Sequence, residues 1–343
     1  MESGPVVTCV LEESTRRRLF DERMLGALRA LAGEVTVLAD FTGADDVLAR
    51  TEVLVTGWGT PLVDAAVVDR MPRLRAVLHS AGTVRGIVDD VVHERGILVS
   101  TQAEANAIPV AEFTLAVVLL ANKGVLVPAT TPYPGYDETR QGAGVGSHGT
   151  VAGVGNYGKR VGVVGASRTG RRVVEALRRH DLEVVVYDPY LSPAAADLLG
   201  VAPLGLDELV ATSDVVTVHA PATPETYHQL DARRLATLRD GAVLVNTSRG
   251  SLVDTAALEA ELARRADDGR GLTVVLDVTE PDPLPPTSPL LSDPRVLVTP
   301  HVAGSKGTEL RRLAQGVVDE LARLVSGVPL AHRVDHATLA RSA

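Results

Sequence analysis

One segment restricts the possible folds more than any other. Val161-Gly162-Val163-Val164-Gly165 is an apolar, β-type run that ends in glycine. It continues as Gly165-Ala166-Ser167-Arg168-Thr169-Gly170, then as a helical pattern over Arg171–His180. A second strand pattern, Glu183–Tyr187, follows and ends at Asp188. A buried strand that turns at glycine into a helix is a unit of a parallel α/β sheet. Gly165 permits the tight turn, and Gly170 lets helix and strand pack closely. The helix start offers N–H groups and a positive dipole end to a pyrophosphate. Asp188, about 20 residues on, can accept hydrogen bonds from an adenosine ribose and would repel a 2′-phosphate. Pro189 and Tyr190 come next, with no adjacent Arg to bind that phosphate. The unit therefore predicts a dinucleotide site, and NAD over NADP. The second glycine of the usual pattern is replaced by Ser167, whose hydroxyl offers a hydrogen bond to the pyrophosphate.

The same rhythm extends over the chain. At roughly 150 residues per domain, 343 residues suggest about two domains. Strands are expected at Val6–Leu11, Val35–Leu38, Val53–Thr56, Arg75–Ser80 and Ile97–Ser100, with a helix around Arg18–Ala32. After Arg160 they recur at Val161–Val164, Glu183–Tyr187, Val215–His219, Ala242–Asn246, Thr273–Asp277 and Val296–Thr299, and a last helix runs from about Thr308 to Val325. Between the halves, Pro109–Leu126 is apolar almost all round and reads as a buried helix. Residues 127–158, rich in Gly, Pro, Thr and Tyr, read as a long surface loop. Aromatics make up only 3%, so the core must rest on Val, Leu and Ala.

A net charge of −9 argues against nucleic acid or an acidic membrane as partner, while leaving room for a small anionic substrate. The single cysteine, Cys9, reads as a buried residue of the first strand, and no intrachain disulfide is possible. The N-terminus carries no secretory pattern and no apolar run approaches ~18 residues, so a cytoplasmic protein is expected. The nine histidines are scattered without HExxH or paired cysteines, so no metal is expected. There is no G-x-S-x-G elbow of a serine hydrolase.

Four downstream segments occur in order: SDVVTVHAPATPETYHQL, GAVLVNTSRGSLVDTAAL, VLDVTEPDPLP and VLVTPHVAGS. With the turn GASRTG, and more weakly with HSAGT and ANAIPVAE, the chain resembles the D-2-hydroxyacid dehydrogenases. That family includes phosphoglycerate, glyoxylate/hydroxypyruvate and D-lactate dehydrogenases. The resemblance is strong from about residue 104 to 310 and weaker before residue 100. It implies an α/β fold of two Rossmann-like domains with parallel sheets sharing a cleft. An NAD-binding domain, 105–300, is inserted into a flavodoxin-like substrate domain made of 1–104 and 301–343. It also implies a homodimer, with Ala116–Leu126 and the loop after it as candidate interface elements, and a small 2-oxo or 2-hydroxy acid as substrate.

Roles carry over residue by residue. Arg249, just past the strand Ala242–Asn246, would hold the substrate carboxylate and polarise its carbonyl, since a guanidinium is a fixed fork for a carboxylate. His301 would exchange the hydroxyl proton, because an imidazole titrates near neutral pH. Asp282 stands where the family has Glu, and would pair with His301; Glu280, two residues earlier, is the alternative. Ala81 and Gly82 would present backbone N–H groups to the carboxylate. Gly165, Ser167, Arg168, Thr169, Gly170 and Asp188 would hold the pyrophosphate and adenosine ribose. Ala220, Pro221 and Thr226 would line the adenosine side, Thr247 and Ser248 the nicotinamide ribose, and Asp277 the carboxamide, with His301 and Gly304 also touching the cofactor. His219 reads as structural, and Asn106 and Glu112 as packing and hinge contacts. The rival reading is a catalytically silent NAD(H) sensor of the same fold acting through protein contacts, which would have no need of Arg249 and His301.

Overall fold

The computed structural model describes residues 4–126, 154–267 and 271–335. Residues 127–153 of the expected loop and 336–343 of the tail lie outside these. The chain divides into two compact units, Met1–Pro109 with Gly304–Ala343, and Val110–Ala303. From sequence the divisions fall at 104/105 and 300/301.

The first unit is built on β1 (Val6–Val10), β2 (Glu34–Leu38), β3 (Val53–Thr56), β4 (Ala76–His79) and β5 (Leu98–Ser100). They pair in the order β2-β1-β3-β4-β5, every pair parallel. This is the flavodoxin-type order. β3 and β4 are buried along their whole length, as strands covered on both faces must be. One face packs on Leu19, Phe20, Leu28, Leu313, Val317 and Leu321, the other on Phe41, Leu48, Val68, Met71 and Val92. Cys9 lies buried in β1, and burial pushes its thiol up to about 12.

The second unit contains β6 (Lys159–Val164), β7 (Leu182–Tyr187), β8 (Ala202–Pro203), β9 (Val215–Val218), β10 (Ala242–Asn246), β11 (Leu272–Leu276) and β12 (Val296–Val298). The order is β12-β11-β10-β9-β6-β7-β8, again wholly parallel. The chain winds outward in both directions from β6, so the crevice between β6 and β9 is the topological switch point where ligands of such sheets bind. Arg265, fully buried, donates to Glu261 and to the carbonyls of Leu238, Arg239 and Gly271. Two of these carbonyls, Arg239 O and Gly271 O, also accept from Ala242 N and Gly241 N, so Arg265 adds a second bond to each.

Three elements differ from the sequence reading. The helix expected at Arg18–Ala32 is two helices, Glu13–Leu19 and Glu22–Leu31. Asp21 breaks them by accepting a hydrogen bond from Met24 N at 2.9 Å as an N-cap. The apolar positions Leu19, Phe20, Met24, Leu25 and Leu28 run through the break, which is why the pattern looks continuous. The central helix is Ala103–Asn122, with Pro109 inside it. Proline suits a first helical turn, and that preference shifts the expected start. By length and composition this helix is apolar enough to cross a membrane, contrary to the sequence expectation, yet Ala111, Val117 and Val118 are buried against the strands of the second unit. Finally, the helix after the glycine turn starts at Arg168, so Arg168 and Thr169 belong to its first turn.

Two histidines end strands in the interior. His79 closes β4, its Nδ1 2.9 Å from Thr56 Oγ1, and His219 follows β9, its Nε2 2.9 Å from Thr217 Oγ1. Burial pushes His79 down to about 4 and His219 down to about 3. Both are neutral when folded at pH 7, while the unfolded chain protonates them near ~6.5. Stability is thus complete above ~6.5 and is lost as pH falls toward 4, by up to ~1.4 kcal/mol per pH unit for each histidine. Urea unfolding followed from pH 8 to 5 is expected to show a plateau and then this decline, shallower in His219→Asn. Equal stability at pH 5 and 7.5 would contradict it.

Candidate functional site

The glycine turn is fixed by contact and not by sequence convention alone. Gly165 has φ +99°, in the left-handed region, and a Cβ there would lie 2.5 Å from Ala220 N. A Cβ on Gly170 would lie 1.9 Å from the Gly165 carbonyl oxygen. Neither position admits a side chain. Ser167 is different: it is the N-cap, with φ −63° and ψ 178°, and its Oγ accepts from Gly170 N at 3.2 Å. Any L residue can adopt that backbone. By helix geometry the N–H of Thr169 has no carbonyl to donate to.

Asp188, at the end of β7, closes the turn from the other side. Its Oδ2 accepts from Ala166 N at 2.7 Å and its Oδ1 from Tyr190 N at 2.8 Å. Each oxygen keeps one lone pair for a ribose hydroxyl. A ten-residue helix that starts at the crevice, a first turn whose Thr169 N–H has no acceptor among the described residues and a fixed carboxylate form the donor and acceptor set that an adenosine ribose and pyrophosphate require. The residues fit NAD.

Neighbouring loops are tied across the sheet end. Ser248 Oγ donates to Ala220 O at 2.7 Å, joining the loops after β10 and β9. Thr247 Oγ1 lies 3.1 Å from Thr114 Oγ1 of the central helix. Thr226 donates to Pro221 O at 2.6 Å and accepts from Thr223 N at 2.8 Å, so its hydroxyl shapes its own turn. These residues hold the crevice walls in place.

The chemistry-bearing residues come from the ends of β10, β11 and β12. Arg249 follows β10, half-buried, with Nη1 donating to Ser248 O at 2.7 Å. The next residue must be glycine: a Cβ on Gly250 would lie 2.0 Å from Thr279 O. The Arg249 turn therefore rests directly on the loop that carries Glu280 and Asp282. That loop sends its two acids to two different histidines. Asp282 Oδ2 is 3.9 Å from His301 Nδ1. Glu280 Oε2 is 3.4 Å from His228 Nε2, and Asp254 Oδ2 is 3.5 Å from His228 Nδ1. Tyr227 stacks on the His228 ring with centroids 3.9 Å apart. At 3.9 Å the Asp282–His301 pair is beyond hydrogen-bond length, as fits the shorter acid side chain. His228 was not foreseen from the sequence.

His301 has φ +52°, one of two non-glycine residues with positive φ among the described residues, the other being His228. That conformation costs on the order of 1–2 kcal/mol. Asp277, buried at the end of β11, holds it in place. Its Oδ1 accepts from Thr299 Oγ1 at 2.6 Å and Val302 N at 2.7 Å, and its Oδ2 from Ala303 N at 2.9 Å. Its carbonyl accepts from His301 N at 3.1 Å. The carboxylate expected to meet a nicotinamide carboxamide thus spends three of about four acceptor sites on the histidine turn.

The remaining site residues lie in the first unit. Ala81 is buried and Gly82 half-buried, just past β4, and Ala81 O accepts from Gln102 N at 2.9 Å. Among the described residues their own N–H groups have no acceptor. Asn106 organises this region: its side chain borders both Gly82 and Gly304, and its Oδ1 accepts from Ser305 N at 3.0 Å. Gly304 belongs to the first unit, whereas the other expected cofactor residues belong to the second.

Residues 129–303 match the family described as D-isomer specific 2-hydroxyacid dehydrogenase, NAD binding domain. The chain is 33% identical over 291 residues to D-3-phosphoglycerate dehydrogenase of Mycobacterium tuberculosis, covering 85% of this chain and 51% of that protein. It spans about half the length of the curated relatives it first matches. It is 32% identical over 269 residues to glyoxylate reductase of Korarchaeum cryptofilum, covering 78% of each. Among solved structures it is similar to a phosphoglycerate oxidoreductase from Rhizobium etli, with TM-score 0.77, 25% identity and coverage of 97% and 99%.

Asp277→Ala would leave two backbone N–H groups unpaired at ~1–3 kcal/mol each. A loss of thermal stability is expected, together with release of the strained His301 turn. Asp277→Asn keeps the shape but turns an N–H toward donors. It should lose stability to a smaller degree while still binding ADP-ribose, which calorimetry can check. Unchanged melting of both variants would show that the turn holds itself.

Proposed function

The chain belongs to the D-isomer specific 2-hydroxyacid dehydrogenases, and we propose that it interconverts a small D-2-hydroxy acid and its 2-oxo acid with NAD. The observation that carries this reading is the pairing of His301 Nδ1 with Asp282 on a turn pinned by Asp277. A protein that merely senses a nucleotide has no use for an acid-oriented, strained histidine at a strand end.

The nicotinamide, when bound, supplies or accepts the hydride. The protein's part is to bind, orient and move a proton. Arg249 holds the substrate carboxylate by two hydrogen bonds and polarises the 2-oxo group, with Ala81 and Gly82 N–H groups assigned to the same carboxylate on the family resemblance. Because Nδ1 of His301 faces Asp282, Nε2 is the nitrogen that meets the substrate oxygen. In reduction it gives its proton to the oxygen that becomes the hydroxyl, and in oxidation it takes that proton back. Asp282 orients the imidazole through Nδ1. Glu280, committed to His228, is the weaker candidate for this role. Gly165, Ser167, Arg168, Thr169, Gly170 and Asp188 are assigned to the pyrophosphate and adenosine ribose, and the half-buried carboxylate of Asp188 supports NAD over NADP.

The test is turnover. Purified protein with NADH and a panel of 2-oxo acids, followed at the nicotinamide absorbance, is expected to reduce at least one. Arg249→Ala should lower kcat/KM by at least ~100-fold, from the loss of a bidentate charged contact. NADH binding with no turnover of any acid would sink the enzymatic reading.

Asp282→Asn separates the acid partners. Removing the carboxylate 3.9 Å from His301 Nδ1 takes away the group that orients the imidazole. Asp282→Asn is expected to lower kcat for 2-oxo acid reduction, while Glu280→Gln leaves it near that of the unaltered protein. The reverse pattern would make Glu280 the partner.

A further inference from the structure

The family reading leaves open what the substrate carries beyond its 2-oxo acid group. We infer that this protein selects 2-oxo acids with an uncharged, apolar side chain that packs on Trp58, and discriminates against those bearing a second anionic group. The inference rests on the dehydrogenase reading, and in particular on Ala81 and Gly82 as carboxylate donors.

β3 and β4 are neighbours in register, with Thr56 opposite His79 at their ends. The loops that follow, Gly57–Pro61 and Ser80–Gly86, therefore leave the sheet side by side. The first is a pinned turn. Gly57 N donates to Thr60 Oγ1 at 2.9 Å, Thr60 Oγ1 donates to Val10 O at 2.7 Å, and Thr60 N donates to Gly57 O at 3.3 Å. Gly57 lies so close to the core that a Cβ would be 2.9 Å from both Leu11 and Ser80 side-chain atoms. The turn displays Trp58, the only tryptophan in the chain, 38% exposed. A large, partly exposed apolar side chain on a hydrogen-bonded turn, in the loop that leaves the sheet beside the one carrying Ala81 and Gly82, is a packing surface for a ligand.

The electrostatics point the same way. Of the residues in these two loops only Arg85 is cationic, and it already has an interaction within the protein. The Glu12 carboxylate borders the turn, with Oε2 2.6 Å from where a Gly59 Cβ would be. His79, buried and pushed down to about 4, carries no charge at neutral pH. A phosphate or second carboxylate would meet an indole and a carboxylate where its recognition calls for Arg or Lys.

The experiment measures kcat/KM with NADH for phenylpyruvate, 4-methyl-2-oxopentanoate, glyoxylate and 3-phosphohydroxypyruvate, in the full chain and in Trp58→Ala and Trp58→Arg. NADH affinity serves as the control for folding. The apolar acids are expected to exceed the phosphorylated one by at least about tenfold, the scale on which apolar pockets discriminate. Trp58→Ala should lower phenylpyruvate turnover by about tenfold, mainly through KM, and glyoxylate turnover much less. Trp58→Arg should narrow the gap between the phosphorylated and apolar acids. A preference for 3-phosphohydroxypyruvate, or an equal loss for all acids in Trp58→Ala, overturns this inference and leaves the dehydrogenase reading intact. Reduction of no acid at all overturns that reading, and this inference with it.

Discussion

The candidate site depends on one carboxylate. Asp277 is buried at the end of β11 and gathers Thr299 Oγ1, Val302 N and Ala303 N around its two oxygens. Charge-assisted hydrogen bonds of this kind are worth roughly 1.5–3 kcal/mol each, enough to offset the ~1–2 kcal/mol that a left-handed histidine costs. Without them the chain leaving β12 would have no reason to place His301 at φ +52°. The acid thus fixes the turn on which the imidazole stands before any ligand arrives.

A second constraint couples Arg249 to the same region. Gly250 touches the backbone at Thr279 so closely that no Cβ fits. The turn that presents the guanidinium and the loop that presents Asp282 are therefore in direct backbone contact. Glu280, two residues before Asp282 on that loop, is occupied by His228, and Thr255 Oγ1 donates to its carbonyl at 2.7 Å. Both acids are spoken for by geometry, one by each left-handed histidine, so exchanging their partners would require rebuilding the loop.

Much of this was legible in the sequence because it rests on local patterns. The β-branched runs marked most of the strands within one or two residues, and their alternation with helices required parallel sheets. The helix break at Asp21 was not legible, since hydrophobic periodicity crosses it unbroken. Nor was β8, since Ala202–Pro203 is only two residues long and exposed. In the site, residue types and order were readable through the family resemblance, but the division of labour was not. Asp277 read as a cofactor contact, and its grip on the histidine turn depends on three donors that lie 22 to 26 residues away along the chain. Thr226, Thr247 and Ser248 read as ligand contacts, while their hydroxyls are engaged within the protein, Thr226 in its own turn, Thr247 beside Thr114 of the central helix and Ser248 on the Ala220 carbonyl. Sequence spacing records which groups are present. It does not record which lone pairs are already taken.

The replaced glycine makes the same point from the opposite side. In G-x-G-x-x-G the three glycines look equivalent on paper, and Ser167 looks like a defect. In space they are unequal. Gly165 is required by its positive φ and by Ala220, and Gly170 by the Gly165 carbonyl. Position 167 has extended backbone that any L residue adopts, so only room for a Cβ is at stake. Serine uses that room: its Oγ takes the Gly170 N–H, a donor that the helix cannot satisfy itself. The hydroxyl proton is left to donate outward, where a pyrophosphate lies if NAD binds as this family does. The substitution thus exchanges conformational freedom that was not needed for a helix cap worth about 1 kcal/mol. The dinucleotide unit keeps the two glycines whose absence would close the turn.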